Sequence, residues 1–300
     1  MLKLITGKIG VKVSLVVNFF LLLVMAGGTY VLIVQQSKSL ENELLQRGKI
    51  QSIVGARMIS EILNEAIDNG VFSVRAAFDT NYKPFGHFNP PKYHTDYDAY
   101  TDKAILGVED SFLKDQDVVF AVAVDRNGYL PTHNTRYQKP ITGNQKEDLV
   151  GNRTKRIFND PVGINAAKNL KEGFLQVYHR DTGVTMWDVS SPIFVKGRHW
   201  GGFRVGVSLE KINEAKRQLM ITLITIMASI LVISLVLTFF TVSGALKSLR
   251  VLTMTATNLA DGINLKDEIE MTRHDEVGAM QQALERLRLS MNIALKRRRQ

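Results

Sequence analysis

The sequence contains no cysteine among its 300 residues. Disulfide bonds, thiolate metal sites and haem attached covalently through a CxxCH motif are therefore excluded. Proline is scarce as well, with seven in the chain and none between residues 38 and 78. A segment of that length without a strong helix breaker favours one long helix.

Two stretches lack charge altogether, residues 13–37 and 218–246. Each exceeds the roughly 20 apolar residues that a helix needs to cross the hydrocarbon of a bilayer. We predict transmembrane helices over 14–36 and 218–243. A cleaved signal peptide is the alternative for the first stretch, but its apolar run is longer than the hydrophobic region of such peptides and no clear A-x-A site follows it. An uncleaved membrane anchor is therefore favoured.

Of the formal net charge of +9, +3 belongs to residues 1–13, +3 to residues 244–300 and +3 to the region between them. Residues 1–13 carry three lysines and no acid, and residues 244–300 carry ten basic and seven acidic residues, including a basic tail at 296–300. Basic residues favour the cytoplasmic side of a membrane. We therefore predict that both termini are cytoplasmic and that residues 37–217 face outward. The tail is expected to contact the anionic lipid of the bilayer, and no nucleic-acid partner is predicted.

The outward region begins with a helical pattern. Ile59, Ile62, Leu63, Ala66 and Ile67 recur at the spacing of one helix face. The stretch "NYKPFGHFNPPKYHTDYDAYTD" then interrupts the pattern with three prolines, and "DKAILGVEDSFLKD" predicts a second helix. A long helix is thus expected to rise from the membrane into a folded domain.

Strand patterns follow. "VVFAVAVD", the turn "RNG" and "YLPTHN" predict a hairpin, and "GFLQVYHRD", "VTMWDVSSPIFV" and "HWGGFRVGVSL" predict a three-stranded meander. Together they predict an α+β fold with a five-stranded antiparallel sheet and helices on one side. The last strand runs directly into the second predicted membrane helix, so the sheet is expected to be connected to the membrane.

Signatures of catalysis and metal binding are missing from the outward region. It has no G-x-S-x-G turn, phosphate-binding loop or recognisable acid pair, so we predict that the protein is not an enzyme. His94, His133 and His199 form no HExxH motif and no close pair. No metal site is predicted from their spacing.

Residues 80–210 resemble the Cache or PAS-like periplasmic sensor domains of bacterial methyl-accepting chemotaxis proteins. The resemblance rests on "DRNGYLPTHN", "NRTKRIFNDPVG", "RDTGVTMWDVSSPIFV" and "GRHWGGFRVGVS", which occur in this order. It implies a sensor of a small molecule in the bacterial inner membrane. Some related sensors hold haem through CxxCH; this chain cannot, and non-covalent haem is not expected. No cofactor is predicted.

The resemblance also implies that a ligand lies between the sheet and the polar segment that crosses it. The polar and aromatic candidates there are Tyr129, His133, Arg136, Arg153, Arg156, Trp187, Asp188, Trp200 and Arg204.

Strand alternation predicts that Trp200 and Arg204 share one face, where the guanidinium could bind a carboxylate and the indole could pack its apolar part. The alternative is structural: Arg153, Arg156 and Asp160 tie down the loop, and both tryptophans belong to the core.

The segment after the second membrane helix contains two narrow apolar seams. One runs through Leu249, Leu252, Ala256 and Leu259, and the other through Val277, Met280, Leu284, Leu287, Met291 and Ala294. Heptad seams of this width need partners, so two copies of the chain are expected to form a parallel four-helix bundle, giving a homodimer.

Residues 244–295 closely resemble a HAMP domain. Gly262 ends the first helix, and Asp275, Glu276 and Gly278 match the family's DExG motif at the start of the second. Carboxylates at that position accept exposed amide protons of the helix N-terminus.

One departure concerns the start of the first HAMP helix, where the family usually has proline and this chain has Ser248. The departure implies a straighter junction with the membrane helix, or one that bends at Gly244.

These features predict a transmembrane receptor that senses a small periplasmic ligand and relays it through HAMP. The chemotaxis-type or kinase output is either a missing C-terminal part of the same protein or a module supplied in trans. The alternative is a membrane-anchored docking or assembly protein that binds a protein partner through its periplasmic domain.

Overall fold

The computed structural model describes residues 9–180, 183–271 and 273–297. Contacts divide the chain into two compact units: a central unit, Val34–Met220, and a terminal unit that combines Met1–Ile33 with Ile221–Gln300. The boundaries set for the domains from the sequence remain predictions.

The described residues form eight α-helices and eight β-strands. In chain order they are α1 Ile9–Asp68, α2 Val74–Ala77, β1 Lys83–Phe85, β2 Lys92–His94, α3 Asp98–Ala104, α4 Leu106–Phe112, β3 Val118–Asp125, β4 Tyr129–Leu130, α5 Gln145–Gly151, β5 Arg156–Ile157, α6 Pro161–Lys168, β6 Phe174–His179, β7 Thr185–Val195, β8 Arg198–Ser208, α7 Leu209–Ala260 and α8 Glu276–Arg297. A 3₁₀ turn at Thr135–Tyr137 follows β4.

The two longest helices, α1 and α7, each contain a stretch that is long and apolar enough to cross a membrane. Within those stretches only 11% of the residues of α1 and none of α7 are buried. Phe20 and Phe240 are 62% and 69% exposed. Apolar side chains this exposed need lipid around them, which confirms the two candidate membrane helices.

The central unit is built on a four-stranded antiparallel sheet in the order β3-β8-β7-β6. This confirms the α+β class but corrects the predicted five strands, because β4 pairs with β5 in a separate ladder. The carboxylate of Asp125 accepts the backbone N–H groups of Asn127 and Tyr129, both at 2.9 Å, which turns the chain away from β3. Pro131, directly after β4, has no N–H with which to continue a hairpin.

Both faces of the sheet are covered, which corrects the prediction of helices on one side. On the helix face, defined as the face against α1, Ile59 and Leu63 pack with Phe203 and Val205. Gly55 brings the helix close, because a Cβ there would lie inside 3 Å of the Phe203 ring.

The opposite face, here called the cavity face, has its own buried cluster that includes Phe120, Val122 and Tyr178. It is covered by α6, which contributes Ala167, and by the 3₁₀ turn. Gly202 on β8 has no side chain, which allows the backbone of α6 to approach.

The two edges of the sheet differ. On β3, the outward N–H of Ala121 donates to the side chain of Asn134 at 2.9 Å, and that of Ala123 donates to the Glu109 carboxyl group at 2.8 Å. On β6, at the other edge, Leu175 and Val177 are 36% and 52% exposed. Side chains therefore occupy backbone donors on the β3 edge, and β6, the other edge strand, carries exposed apolar side chains.

In the terminal unit, α7 continues as one helix through Gly244 and Ser248. Gly262 follows the helix with a φ of 71° and donates its N–H to the Leu259 carbonyl, while Ile263 donates to the Asn258 carbonyl, the pattern of a Schellman motif. Asp275 accepts the N–H groups of Val277 and Gly278 at 3.1 and 3.2 Å and so caps α8.

Candidate ligand-binding site

A cavity lies on the cavity face of the sheet, with about 20 Å³ of space for the centres of water molecules. That space holds about one water. Its apolar wall is formed by Phe120, Val122, Val124, Leu130, Phe158 and Tyr178. Its polar wall is formed by His133, Arg153, Arg180 and Arg204. Three guanidinium groups and one imidazole, all on buried residues, therefore converge on one small space, a donor set that suits an anion.

Arg204 is fixed by a buried ion pair with Asp188 on the neighbouring strand. The Arg204 Nη2 and Nε atoms donate to Asp188 Oδ2 at 2.7 and 3.1 Å. The side chains of both residues are almost completely buried, with 4% and 0% exposed. Burial raises the pKa of Asp188, while the adjacent guanidinium acts to lower it. The pair holds Arg204 in place at the cavity wall.

His133 contributes a polar atom without a partner. The residue is 3% exposed, and its Nδ1 makes no hydrogen bond within the described part of the chain. Burial lowers the pKa of His133 well below its ordinary value, and the positive charges of Arg180 and Arg153 lower it further. The imidazole is therefore neutral, and an unpaired buried nitrogen of this kind is a site for a ligand or a water.

Aromatic rings hold the arginines in position. The Arg180 guanidinium lies 4.5 Å from the Tyr137 ring, and that of Arg204 lies 5.5 Å from the Tyr178 ring. Arg153 lies 5.0 Å from the Phe158 ring and donates to a backbone carbonyl at the end of α5. Cation–π contacts of this kind stabilise a cation that has lost its water.

The structure brings together only part of the predicted site. His133, Arg153 and Arg204 line the cavity, and Asp188 contacts Arg204. Arg156 lies next to them, with its guanidinium 5.0 Å from the Phe158 ring.

Four predicted residues lie elsewhere. Arg136 is exposed on the 3₁₀ turn. Tyr129, Trp187 and Trp200 belong to the cluster on the helix face. The indole of Trp200 donates to the Ala77 carbonyl at 2.8 Å, so it is a core residue, as the structural alternative held.

The predicted alternation of Trp200 and Arg204 onto one face is wrong because β8 is irregular. Ile193 pairs with Gly201 while Phe194 pairs with His199, which leaves Trp200 as an extra residue in β8. A bulge of one residue moves the preceding side chains to the other face. Trp200 and Arg204 therefore point in opposite directions.

Sequence reasoning missed Arg180, which lines the cavity together with Tyr178. A signal for it existed in "YHRD": Arg180 is two residues beyond Tyr178, so the period of a strand places both on the same face. Phe120 and Phe158 were missed as well, because the sequence does not distinguish a buried aromatic residue that lines a cavity from one that packs in the core.

The neutral state of His133 predicts a pH effect on stability. An unfolded histidine takes up a proton near pH 6.5, whereas the buried ring of His133 does not. The contribution of His133 to the free energy of unfolding is therefore lost as the pH falls through 6.5. Relative to His133→Asn, we expect the free energy of unfolding of the wild type to fall by up to about 1.4 kcal/mol per pH unit between about pH 6 and 5. Urea unfolding at several pH values tests this, and parallel curves for the two proteins would contradict it.

Comparison with known families concerns the terminal unit. The family profile described as the HAMP domain matches residues 240–292, which include the end of α7, the connector and most of α8. The chain contains a HAMP domain. This domain follows a candidate membrane helix that begins in the central unit, which supports a transmembrane signalling receptor.

Two solved sensor domains are similar to the chain. The E. coli DcuS sensor domain shares 19% identity with a TM-score of 0.27, over 37% of this chain and 70% of that domain. The sensory domain of the Campylobacter jejuni chemoreceptor Tlp3 (CcmL) shares 10% identity with a TM-score of 0.26, over 59% of this chain and 65% of that domain. TM-scores this low add nothing to what the strands and helices themselves establish. Comparison with curated protein sequences finds no significant match.

Proposed function

We propose that the receptor senses a small anion, a carboxylate in the first instance, that binds in the cavity lined by His133, Arg153, Arg180 and Arg204. The observation that carries this proposal is the unpaired Nδ1 of His133 within that cluster of buried cations. Buried charge is stabilised by opposite charge, and guanidinium groups bind carboxylates with two parallel hydrogen bonds. The cluster thus has the donors, the charge and the burial that favour binding of an anion.

The size of the cavity connects binding to movement. A space for about one water is too small for a carboxylate unless neighbouring side chains move. Arg204 lies on β8, and β8 ends where α7 begins. A displacement of β8 by the ligand therefore reaches α7 directly, and a ligand shifts the protein towards whichever conformation it binds better.

In this proposal the protein resides in the bacterial inner membrane with both termini in the cytoplasm. Two copies pair through HAMP and pass the signal to a chemotaxis-type or kinase output, present in the same polypeptide or supplied in trans. The narrow apolar seams on both HAMP helices support the pairing, because a single copy leaves Leu249 and Leu287 40% and 51% exposed.

A thermal-shift screen of the full chain in detergent tests the ligand. A carboxylate at about 100 times its dissociation constant stabilises the folded state by about 2.7 kcal/mol, which corresponds to roughly 5–10 °C for a unit of this size. Arg180→Gln should abolish the shift, and Arg180→Lys should retain part of it. Arg136→Gln is the matched control, because Arg136 is exposed and lies outside the cavity wall.

Two outcomes would contradict the proposal. Equal shifts in Arg180→Gln and Arg136→Gln would place the ligand elsewhere. The absence of any stabilising carboxylate, together with binding of a purified extracytoplasmic protein, would favour the docking alternative.

A further inference from the structure

A side-chain bridge joins the beginnings of the two HAMP helices. The Nη1 of Arg273 in the connector donates to Ser248 Oγ at 2.9 Å. The Nε of the same guanidinium donates to Asp275 Oδ2, also at 2.9 Å. Ser248 lies on α7, and Asp275 caps the N-terminus of α8. One arginine thus contacts both helices at the end where a signal from the membrane arrives.

Ser248 is suited to its part in this bridge. Its hydroxyl donates back to the Gly244 carbonyl at 3.3 Å, which leaves the oxygen lone pairs available to accept from Arg273. The proline that the HAMP family usually has at this position carries no hydroxyl, so it could not accept. The departure seen in the sequence therefore coincides with a contact that only a residue with a side-chain acceptor can make.

The other end of the bridge is equally specific. A Cβ on Gly278 would lie inside 3 Å of the Arg273 backbone carbonyl, so the glycine of the DExG motif lets the connector pass across the first turn of α8. The same Asp275 that binds Arg273 accepts the N–H groups of Val277 and Gly278. A change in the position of Arg273 therefore alters the position of Asp275 and with it the hydrogen bonds that cap α8.

We infer that Arg273 is a positioning residue that couples α7 to the N-terminus of α8 through Ser248 and Asp275. In this scheme a displacement of α7 at Ser248 acts on the cap of α8 directly, without first passing through the connector from Gly262 onward. The inference rests on the receptor role of the HAMP domain, but it does not depend on the ligand.

Hydrogen exchange of the ligand-free full chain in lipid nanodiscs tests the coupling. Ser248→Ala removes the acceptor for Arg273, so the amides of Val277 and Gly278 should exchange about two- to fivefold faster, the range expected for one exposed charged contact. Ser248→Thr keeps the hydroxyl and should restore the wild-type rate. Amides near Leu284, in the middle of α8, should not change in any variant.

Ser290→Ala is the matched control, because the Ser290 hydroxyl bonds to the Arg286 carbonyl of its own helix. Equal exchange at Val277 and Gly278 in wild type and Ser248→Ala would overturn the inference, as would acceleration by Ser290→Ala of the same size. Because no ligand is present, either result leaves the proposal for the arginine-lined cavity untouched.

Discussion

Replacing Asp188 by alanine is expected to lower the free energy of unfolding of the central unit by about 3–5 kcal/mol, because it leaves the Arg204 guanidinium buried without its counter-charge. The Asp188 carboxylate accepts three hydrogen bonds of 3.3 Å or less from Arg204, and both side chains are almost completely buried. Urea unfolding in detergent measures the change. Both tryptophans of the chain, Trp187 and Trp200, are buried in this unit, so their fluorescence reports on it alone.

The double variant Asp188→Leu with Arg204→Met separates the ion pair from simple packing. Removing both charges leaves nothing uncompensated in the interior, so the double variant should be more stable than Asp188→Ala. A double variant as unstable as the single one would show that volume and shape at this position matter more than charge. On the proposed function, the same double variant should also bind an anion more weakly, because one of the three guanidinium groups of the cavity is gone.

Gly55→Ala is expected to destabilise the central unit by about 1–3 kcal/mol through overpacking. The added methyl group would lie inside 3 Å of three ring atoms of Phe203, which is fully buried against α1 and therefore cannot move away freely. Helix propensity acts in the opposite direction by about 1 kcal/mol, so the steric effect has to exceed it.

Gly107→Ala is the control for this prediction. Gly107 is also helical, in α4, but a Cβ there meets nothing within 4 Å. The substitution should therefore stabilise the same unit by up to about 1 kcal/mol. Tryptophan-detected urea unfolding of both variants gives the comparison, and a change of equal sign in the two would refute close packing of α1 on the sheet at Gly55.

The elements that the sequence predicted correctly are those with a long and regular signal. The two membrane helices were predicted from charge-free stretches, and the long helix from the 3.6-residue spacing that places Ile59 and Leu63 on one face. The structure contains both features. The DExG motif was equally specific, since its residues cap α8.

The incorrect predictions concern strands in which local hydrogen bonds override the two-residue alternation of side chains. Asp125 turns the chain so that β4 leaves the sheet, and the bulge at Trp200 exchanges the two faces of β8. Neither is visible as a pattern, because each depends on hydrogen bonds to one particular partner strand or side chain. Arg180 was missed for a different reason: it lies within the predicted strand "GFLQVYHRD", but alternation shows only which residues share a face and not which face borders a cavity.

The unequal edges of the central sheet restrict how it can meet other chains. Glu109 and Asn134 already occupy the outward N–H groups of β3, and burial raises the pKa of Glu109 well above its ordinary value. An incoming extended peptide finds no vacant donors at those two positions. Addition of a strand to β3 is therefore obstructed at those two positions, which leaves β6, at the other end of the strand order, as the edge strand with exposed apolar residues, Leu175 and Val177.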